Sequence, residues 1–299
     1  MPRIALATYA TLPGLNDDDR LLVSALAKQG ITAVPAVWDS PDVAWGDFQG
    51  VLVRSCWDYH RRLPEFLEWI ARLERDGQRV LWNPPELLRW NSHKGYLRDL
   101  AARGVSIVPT RWVARGEPCG LAEVLRHEGW GEAVVKPAVS ASASGTWSTT
   151  LASAAPNQPK LDEMLRTGDV LVQPLVPEVR DPGEWSLVFF EGRFSHAVLK
   201  RPAAGDYRVQ WEFGGSADTR KPSRKLIADA ERVLAAVPGH PLYARVDGVA
   251  RDGRLALMEL ELIEPHLFFG WERRAAMRLA KAIRRALNRP GAGNRRLAR

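Results

Sequence analysis

The sequence predicts an α/β (α+β) fold, in which an N-terminal parallel α/β layer precedes two parts that are built on antiparallel sheets. Up to about residue 90, strand-like and helix-like segments alternate, a pattern typical of a parallel sheet. Further on, long strand-like segments meet at Glu191-Gly192 and Asp252-Gly253, which are tight-turn signals of antiparallel hairpins. The length of 299 residues is consistent with two or three subdomains that share one body.

The N-terminal domain is predicted over residues 1–90. Its strands are expected at Arg3 to Tyr9, Thr32 to Trp38, Val51 to Ser55 and Arg79 to Trp82. Its helices are expected at Asp17 to Gln29 and Pro64 to Asp76. The carboxylates of Asp17, Asp18 and Asp19 favour a helix start there, since they oppose the helix dipole.

The central part is predicted over residues 91–170 and the C-terminal part over 171–288. The central elements are a helix after Lys94, a strand near Pro109 to Val113, a helix near Leu121 to His127 and a strand at Ala133 to Lys136. One antiparallel sheet is expected to contain Val170 to Val176, Trp185 to Phe190, Arg193 to Arg201 and Tyr207 to Phe213. A helix at Arg224 to Val237, a hairpin of Tyr243 to Ala250 with Arg254 to Ile263, and a helix at Gly270 to Leu287 follow.

The composition is that of a soluble globular protein, with 45% hydrophobic and 26% charged residues. Cys56 and Cys119 do not have the spacing of a disulfide framework or a zinc site. The sequence contains neither a signal peptide nor an apolar run long enough for a membrane span. We therefore expect a cytoplasmic protein without a membrane partner.

The net charge of +7 raises the alternative of a nucleic-acid-binding protein, because basic surfaces attract phosphates. Basic residues are nevertheless spread along the chain, and their one dense cluster lies near the end. Residues 289–299 contain Pro290, Gly291 and Gly293, which favour a flexible basic tail. A solvated tail is the preferred interpretation, and no nucleic-acid partner is expected.

Three carboxylates are predicted to meet on the last hairpin. Glu259 and Glu261 are two residues apart on one strand, so their side chains share a face. A turn at residues 252 and 253 pairs Asp247 with about residue 258 or 259 on the adjacent strand. Oxygen ligands in this number suit Mg²⁺ shared with phosphates, whereas the alternative is a solvated strand face.

Two lysines have surroundings that suit phosphate groups. Lys136 ends a strand and precedes the small residues Ser140 to Thr146, whose backbone N–H groups can approach a polyphosphate closely. Lys94 is placed in a first helical turn, where its charge opposes the helix dipole unless an anion is near. The alternatives are a flexible linker for the small-residue segment and an ordinary surface position for Lys94.

These segments occur in an order that resembles the ATP-grasp proteins of the glutathione synthetase and RimK-like branch, over about residues 91–287. The resemblance implies that Lys94 and Lys136 contact the phosphates of ATP and that Glu184 binds the ribose. It implies that Asp247, Glu259 and Glu261 bind magnesium. It also implies an adenine-binding hinge formed by Gln173, Pro174, Leu175 and Val176, and a phosphate-covering loop that contains Ser142, Ser144 and Gly145.

The same resemblance implies catalytic roles for Lys200 and Arg208, which would steady the transferring phosphoryl group and the substrate carboxylate. Gly214 and Gly215 resemble the end of the family's substrate loop. Two positions depart from the family pattern. Glu261 stands where asparagine is common, which keeps an oxygen ligand, and Ser186 stands where glutathione synthetases have arginine, which suggests a different acceptor.

Arg54, Trp57 and Glu264 lie in segments that resemble a group containing the O-ureido-serine cyclo-ligase of cycloserine biosynthesis. The implied activity is an ADP-forming carboxylate–amine ligase that uses ATP and Mg²⁺ on a small amino-acid-like substrate. Cyclisation of O-ureido-D-serine to D-cycloserine is the specific expectation. An intermolecular peptide ligase and a non-catalytic nucleotide-binding protein remain alternatives, and Trp57 is also consistent with a core position. Related ligases often form dimers or tetramers, so the oligomeric state is open.

Overall fold

A computed structural model describes residues 1–75, 81–209 and 213–288. The strands are β1 (Arg3–Thr8), β2 (Thr32–Val37), β3 (Gly50–Ser55), β4 (Leu81–Trp82), β5 (Arg111–Val113), β6 (Glu132–Pro137), β7 (Trp147–Thr150), β8 (Val170–Pro174), β9 (Glu184–Phe190), β10 (Arg193–Arg201), β11 (Ser216–Thr219), β12 (Tyr243–Arg251) and β13 (Arg254–Glu261). The helices are α1 (Asp17–Lys28), α2 (Leu63–Arg75), α3 (Pro85–Asn91), α4 (Tyr96–Ala102), α5 (Leu121–Glu128), α6 (Ala154–Thr167), α7 (Arg224–Ala235) and α8 (Ala275–Asn288).

The N-terminal sheet has the strand order β2-β1-β3-β4 and is parallel throughout, as predicted. Its two faces are buried against different helices because side chains alternate along a strand. Ile4 and Leu6 of β1 belong to the core that contains α1 and α8. Ala5 and Ala7 belong to the core that contains α2. The C-terminal helix α8 therefore completes the N-terminal layer.

The remaining strands form two antiparallel sheets, with the orders β5-β8-β6-β7 and β11-β10-β9-β12-β13. The turns at Glu191-Gly192 and Asp252-Gly253 are confirmed, and all four of these residues have positive φ angles. The predicted grouping of Val170 to Val176 with the last sheet is wrong, because β8 pairs with β5 and β6. How the chain divides into domains stays a prediction.

The predicted strand from Tyr207 to Phe213 is wrong at its described positions. No strand contains Tyr207, Arg208, Val209 or Phe213, and residues 210–212 lie outside the described part of the chain. One physical reason is Asp206, whose Oδ1 accepts hydrogen bonds from the backbone N–H groups of Tyr207 and Arg208. Such a local carboxylate contact turns the chain instead of leaving these N–H groups for a sheet. The edge strand that pairs with β10 is β11.

Lys94 does not lie in a helix, contrary to the prediction. It is in the turn between α3 and α4, and its backbone N–H donates to the Ala138 carbonyl at 2.7 Å. The elements α3, β7 and α6 were not predicted. Helix α6 was not predicted because its sequence contains Pro156 and Pro159. Pro156 is nevertheless compatible with a helix, because it falls in the first turn, where an N–H has no partner within the helix.

The predicted tail at residues 289–299 lies outside the described residues. In the parts of the chain that the structure covers, no helix is long and apolar enough to cross a membrane.

Contacts between the N-terminal layer and the last sheet fix the segment that follows β13. The Tyr243 hydroxyl lies 2.9 Å from the carbonyl oxygen of Val53 and 2.8 Å from that of Ile263, so its single hydrogen is shared between these two acceptors. The Asn83 amide donates to the carbonyls of Tyr243 and Leu262. These buried hydrogen bonds hold residues 262–265 against the end of β3.

The irregular register of β12 at Asp247 and Gly248 gives a first prediction. A Cβ at Gly248 would lie 2.4 Å from the Ala256 carbonyl oxygen, so alanine there forces β12 away from β13. We expect Gly248→Ala to lower the free energy of unfolding by about 1–3 kcal/mol, as overpacking does in other proteins. Gly131→Ala is the matched control, because nothing lies within 4 Å of its Cβ position. Equal urea midpoints for the two variants would contradict this packing.

Candidate active site

A cavity of about 260 Å³ lies between the two antiparallel sheets, and the segment after β3 closes one side of it. It collects most of the residues that were predicted to carry chemistry. Those that line it are Trp57, Lys94, Lys136, Ser142, Gln173, Pro174, Leu175, Val176, Glu184, Lys200, Arg208, Asp247, Glu259, Glu261 and Glu264. Residues so far apart in sequence converge only because the two sheets face each other.

Five predicted site residues do not line the cavity, namely Arg54, Ser144, Gly145, Gly214 and Gly215. Arg54 lies inside the N-terminal layer, where its Nε donates to Asp19 at 2.8 Å and its Nη2 to the Pro265 carbonyl at 2.7 Å. Gly145 follows Ser142 and Ala143, and all three have positive φ angles. The phosphate-covering role of this loop stays a prediction, as does the substrate role of Gly214 and Gly215.

The predicted register of the last hairpin is confirmed. Asp247 pairs with Glu259 in the register of β12 and β13, and Glu261 pairs with Arg245. Asp247 is 2% exposed and accepts a hydrogen bond from Ser186 at 2.5 Å. The turn at residues 252 and 253 sets the register up to Gly248, and an irregularity between Asp247 and Gly248 then shifts it by one residue, which places Asp247 opposite Glu259.

Cations in the same cavity neutralise these carboxylates. Arg245 binds Asp247 with Nε at 3.0 Å and Nη2 at 2.7 Å, and it also pairs with Glu261. Lys94 Nζ lies 3.0 Å from Glu259. Burial alone would raise the pKa of Asp247, but Arg245 and Lys200 hold it below its usual value. Burial raises the pKa of Glu261 to about 7 although Arg245 opposes the shift.

The donor set fits Mg²⁺ in chemistry, because it offers carboxylate oxygens on rigid strands that face a cavity. As they stand, no three His, Cys, Asp or Glu side chains of the described residues converge closely enough to hold a metal ion. The reason is that each of the three carboxylates is turned toward a cation. The magnesium assignment for Asp247, Glu259 and Glu261 therefore stays a proposal.

Glu184 and Lys200 form a buried pair between β9 and β10. Lys200 Nζ lies 2.6 Å from Glu184 Oε1 and 3.7 Å from Asp247 Oδ2. Burial alone would lower the pKa of Lys200, but these two carboxylates raise it overall. Lys200 therefore stays charged, as the predicted contact with a transferring phosphoryl group requires.

Lys94 is held by the segment that follows β6 as well as by Glu259. Its Nζ donates to the carbonyl of Ser140 at 2.9 Å and to its hydroxyl at 3.0 Å. Lys136 differs, since its Nζ makes neither a hydrogen bond nor an ion pair with any residue that the structure describes. Burial lowers the pKa of Lys136 to about 8. An unpaired ammonium in a cavity is suited to an anionic ligand.

The shifted pKa of Lys136 predicts how ATP affinity depends on pH. The ammonium form is dominant below about pH 8 and is lost above it. If only this form binds phosphate well, the Kd for ATP should rise about tenfold from pH 7 to pH 9. Lys136→Arg should give a nearly flat profile, because arginine stays charged throughout this range. An equally steep rise in the arginine variant would show that another group titrates.

Arg208 and the hinge both line the cavity. Arg208 Nη2 pairs with Asp206 at 2.9 Å, and its guanidinium carbon lies 3.6 Å from the centre of the Phe213 ring. In the hinge, Gln173 Nε2 donates to Thr110 at 2.8 Å and the Leu175 N–H donates to the Glu132 carbonyl at 3.0 Å. The hinge backbone is thus held in place by β6 and by the segment before β5.

Sequence reasoning missed Arg245 and His266, both of which line the cavity. Arg245 stands two residues before Asp247 on β12, so the alternation of side chains along a strand could have placed it on the acidic face. His266 is held by a hydrogen bond from the Phe268 N–H to its Nδ1. Burial lowers the pKa of His266 to about 4. No regular strand or helix contains it, so periodicity gave no signal.

This fold and cavity define an ATP-grasp ligase, an ATP-dependent enzyme that joins a carboxylate to an amine. Residues 4–83 match the family model "D-cycloserine synthetase DcsG, N-terminal domain". The chain is 33% identical over 297 residues to the cycloserine biosynthesis protein DcsG of Streptomyces lavendulae, covering 94% of this chain and 97% of the relative. The chain therefore belongs to the family of D-cycloserine synthetase DcsG.

Solved structures agree with this assignment. The crystal structure of D-cycloserine synthetase DcsG has a TM-score of 0.86 and 31% identity, covering 95% of this chain and 99% of that one. A D-alanine–D-alanine ligase from Bacillus anthracis complexed with ATP has a TM-score of 0.68 and 17% identity, covering 96% and 97%. At this identity the second likeness shows the fold alone.

Proposed function

We propose that this enzyme cyclises O-ureido-D-serine to D-cycloserine with ATP and Mg²⁺. The observation that carries the proposal is the 33% identity to DcsG of Streptomyces lavendulae over nearly the whole chain. The cavity adds support, because it combines cations for a triphosphate with acidic groups for a metal ion.

In this proposal the nucleotide lies along β6 and β8. The adenine would occupy the hinge from Gln173 to Val176, Glu184 would bind the ribose, and Lys94 and Lys136 would contact the phosphates. Mg²⁺ held by Asp247, Glu259 and Glu261 would neutralise charge on the phosphates. Lys200 and Arg208 would hold the transferring phosphoryl group and the substrate carboxylate, because phosphoryl transfer needs alignment and charge stabilisation more than covalent help.

The proposed reaction has three steps: activation of the carboxylate, ring closure and hydrolysis of the carbamoyl group. An oxygen of the substrate carboxylate attacks the γ-phosphorus of ATP, ADP leaves, and an acyl-phosphate forms. The nitrogen bonded to the side-chain oxygen attacks the acyl carbon, and phosphate departs with that carboxylate oxygen. This attack is within one molecule, so it benefits from a high effective molarity. The ring nitrogen still carries a carbamoyl group at this point. Hydrolysis of that group by one water releases D-cycloserine, carbon dioxide and ammonia, so that the atoms balance.

ADP release from Mg-ATP tests this proposal with a panel of substrates. O-ureido-D-serine alone should support turnover, and an added amine should not be required. Turnover only with a carboxylate plus a separate amine would move the enzyme to intermolecular ligation of the RimK or glutathione synthetase kind. No ADP release with any substrate would favour a non-catalytic nucleotide-binding protein.

The cellular setting and assembly are also part of the proposal. Cys56 is buried, and both described cysteines are free, which favours a reducing compartment such as the cytoplasm. A dimer or tetramer is proposed because related ligases often form such oligomers. Light scattering of the purified protein measures the number of subunits directly.

A further inference from the structure

Glu264 differs from the other carboxylates that line the cavity. Glu184, Asp247, Glu259 and Glu261 each lie within 4.0 Å of a lysine or arginine nitrogen. The Glu264 carboxylate has neither an ion pair nor a hydrogen bond to any side chain in the described ranges, although the residue is only 9% exposed. An unpaired buried carboxylate is unfavourable, and a cationic ligand group would relieve that cost.

Glu264 lies next to the N-terminal layer as well as near the carboxylates of the last sheet. It follows β13 in the segment that the N-terminal layer holds, and its carbonyl accepts a hydrogen bond from Trp57 Nε1 at 3.3 Å. Burial raises the pKa of Tyr59 well above its usual value, and the Glu264 carboxylate is the next cause of that shift. Trp57 and Tyr59 both line the cavity. Glu264 therefore lies on the wall that the N-terminal layer forms.

This wall combines a carboxylate with two aromatic rings, which is a favourable setting for an ammonium group. Lys94 pairs with Glu259 at 3.0 Å. Its charge also acts on Glu264, but burial and the neighbouring Glu261 still raise the pKa of Glu264 well above its usual value, so a further cation is needed to keep the carboxylate ionised. Lys200 and Arg245 lie on the sheet side of the cavity, bound to Glu184 and Asp247. A zwitterionic amino acid placed between these groups would have its carboxylate at the cations and its ammonium at Glu264.

We propose that the Glu264 carboxylate binds the α-ammonium group of the amino-acid substrate and thereby selects amino acids over simple carboxylic acids. This inference rests on the proposed function, because it assumes that the substrate is an amino acid with its own nucleophile. It assigns to Glu264 a specificity role that none of the paired carboxylates can take without losing its cation.

The test compares O-ureido-D-serine with the same compound lacking the α-amino group. Wild-type kcat/KM for ADP release should favour the amino compound on the order of a hundredfold, the typical loss when one partner of a buried charge pair is missing. Glu264→Gln should reduce that preference to less than about tenfold, because the amide cannot neutralise an ammonium. Glu123→Gln, at an exposed glutamate of α5, is the control and should keep the wild-type preference.

If wild type turns over O-ureido-D-serine and Glu264→Gln keeps the full preference, the role of Glu264 is overturned while the proposed function stands. If wild type turns over neither compound, the proposed function fails and this inference fails with it. The KM for ATP should be unchanged in Glu264→Gln, which separates substrate recognition from a general disturbance of the cavity. Glu264→Ala carries the same test if the glutamine variant does not fold.

Discussion

Replacing Lys136 with alanine, or Glu259 with glutamine, should lower the rate of ADP formation by about a hundredfold to a thousandfold, the usual effect of losing one preorganised charge at a transition state. Lys136 has an unpaired ammonium that faces the cavity from β6, whereas Glu259 faces it from β13. The two residues are on different sheets, and in the proposed mechanism they would act on the triphosphate from different sides. Steady-state ADP release at saturating ATP measures the effect.

Two matched variants control for loss of charge alone. Lys225→Ala removes an exposed lysine of α7, and Glu123→Gln removes an exposed carboxylate of α5. Neither position lines the cavity, so both variants should keep wild-type rates. Full activity of Lys136→Ala and Glu259→Gln would contradict the assignment of the cavity as the active site.

Replacing Arg54 with alanine should destabilise the protein more than it changes substrate binding. Arg54 and Asp19 form a salt bridge at 2.8 Å in which each side chain is 1% exposed. Removing one partner of a buried pair typically costs about 3–5 kcal/mol, because the other charge stays buried and unpaired. Asp19 keeps only the hydroxyl of Ser55 at 2.6 Å and the amide of Asn16 at 3.0 Å. Urea unfolding followed by circular dichroism gives the change in free energy.

The control for Arg54 is a solvent-exposed ion pair in α1, the helix that contains its partner Asp19. Arg20 pairs with Asp17 at 2.8 Å, but these side chains are 59% and 96% exposed. Arg20→Ala should therefore change the free energy of unfolding by less than about 1 kcal/mol. If Arg54→Ala were as stable as Arg20→Ala while its KM for substrate rose, the substrate role predicted from sequence would replace the structural one.

Local sequence signals predicted the acidic side of the site well. The Asp252-Gly253 turn predicts that Asp247 lies opposite residue 258 or 259, and the irregularity of β12 between Asp247 and Gly248 makes Glu259 the partner. The Glu191-Gly192 turn signal likewise predicted the hairpin of β9 and β10. Where both strands of a pair are joined by a short turn, the sequence contains the information that sets their contacts.

Long-range pairing could not be predicted in the same way. Strand β8 pairs with β6, which lies across α6 in the chain, and no turn signal connects the two. The substrate role of Arg54 is a prediction from the resemblance of its segment, whereas its ion pair with Asp19 of α1 is a long-range contact that the sequence did not indicate. Which cation neutralises which carboxylate also depends on how the sheets face each other, so the isolation of Glu264 was visible only in the structure.

The fate of the substrate's carboxylate oxygen tests most directly whether this enzyme activates a carboxylate as an acyl-phosphate. O-ureido-D-serine labelled with ¹⁸O in both carboxylate oxygens is incubated with the enzyme and Mg-ATP, and the phosphate formed is analysed by mass spectrometry. Transfer of one ¹⁸O atom into each phosphate is the expected result, because phosphate leaves with the oxygen that attacked ATP. Unlabelled phosphate formed together with D-cycloserine would contradict the account.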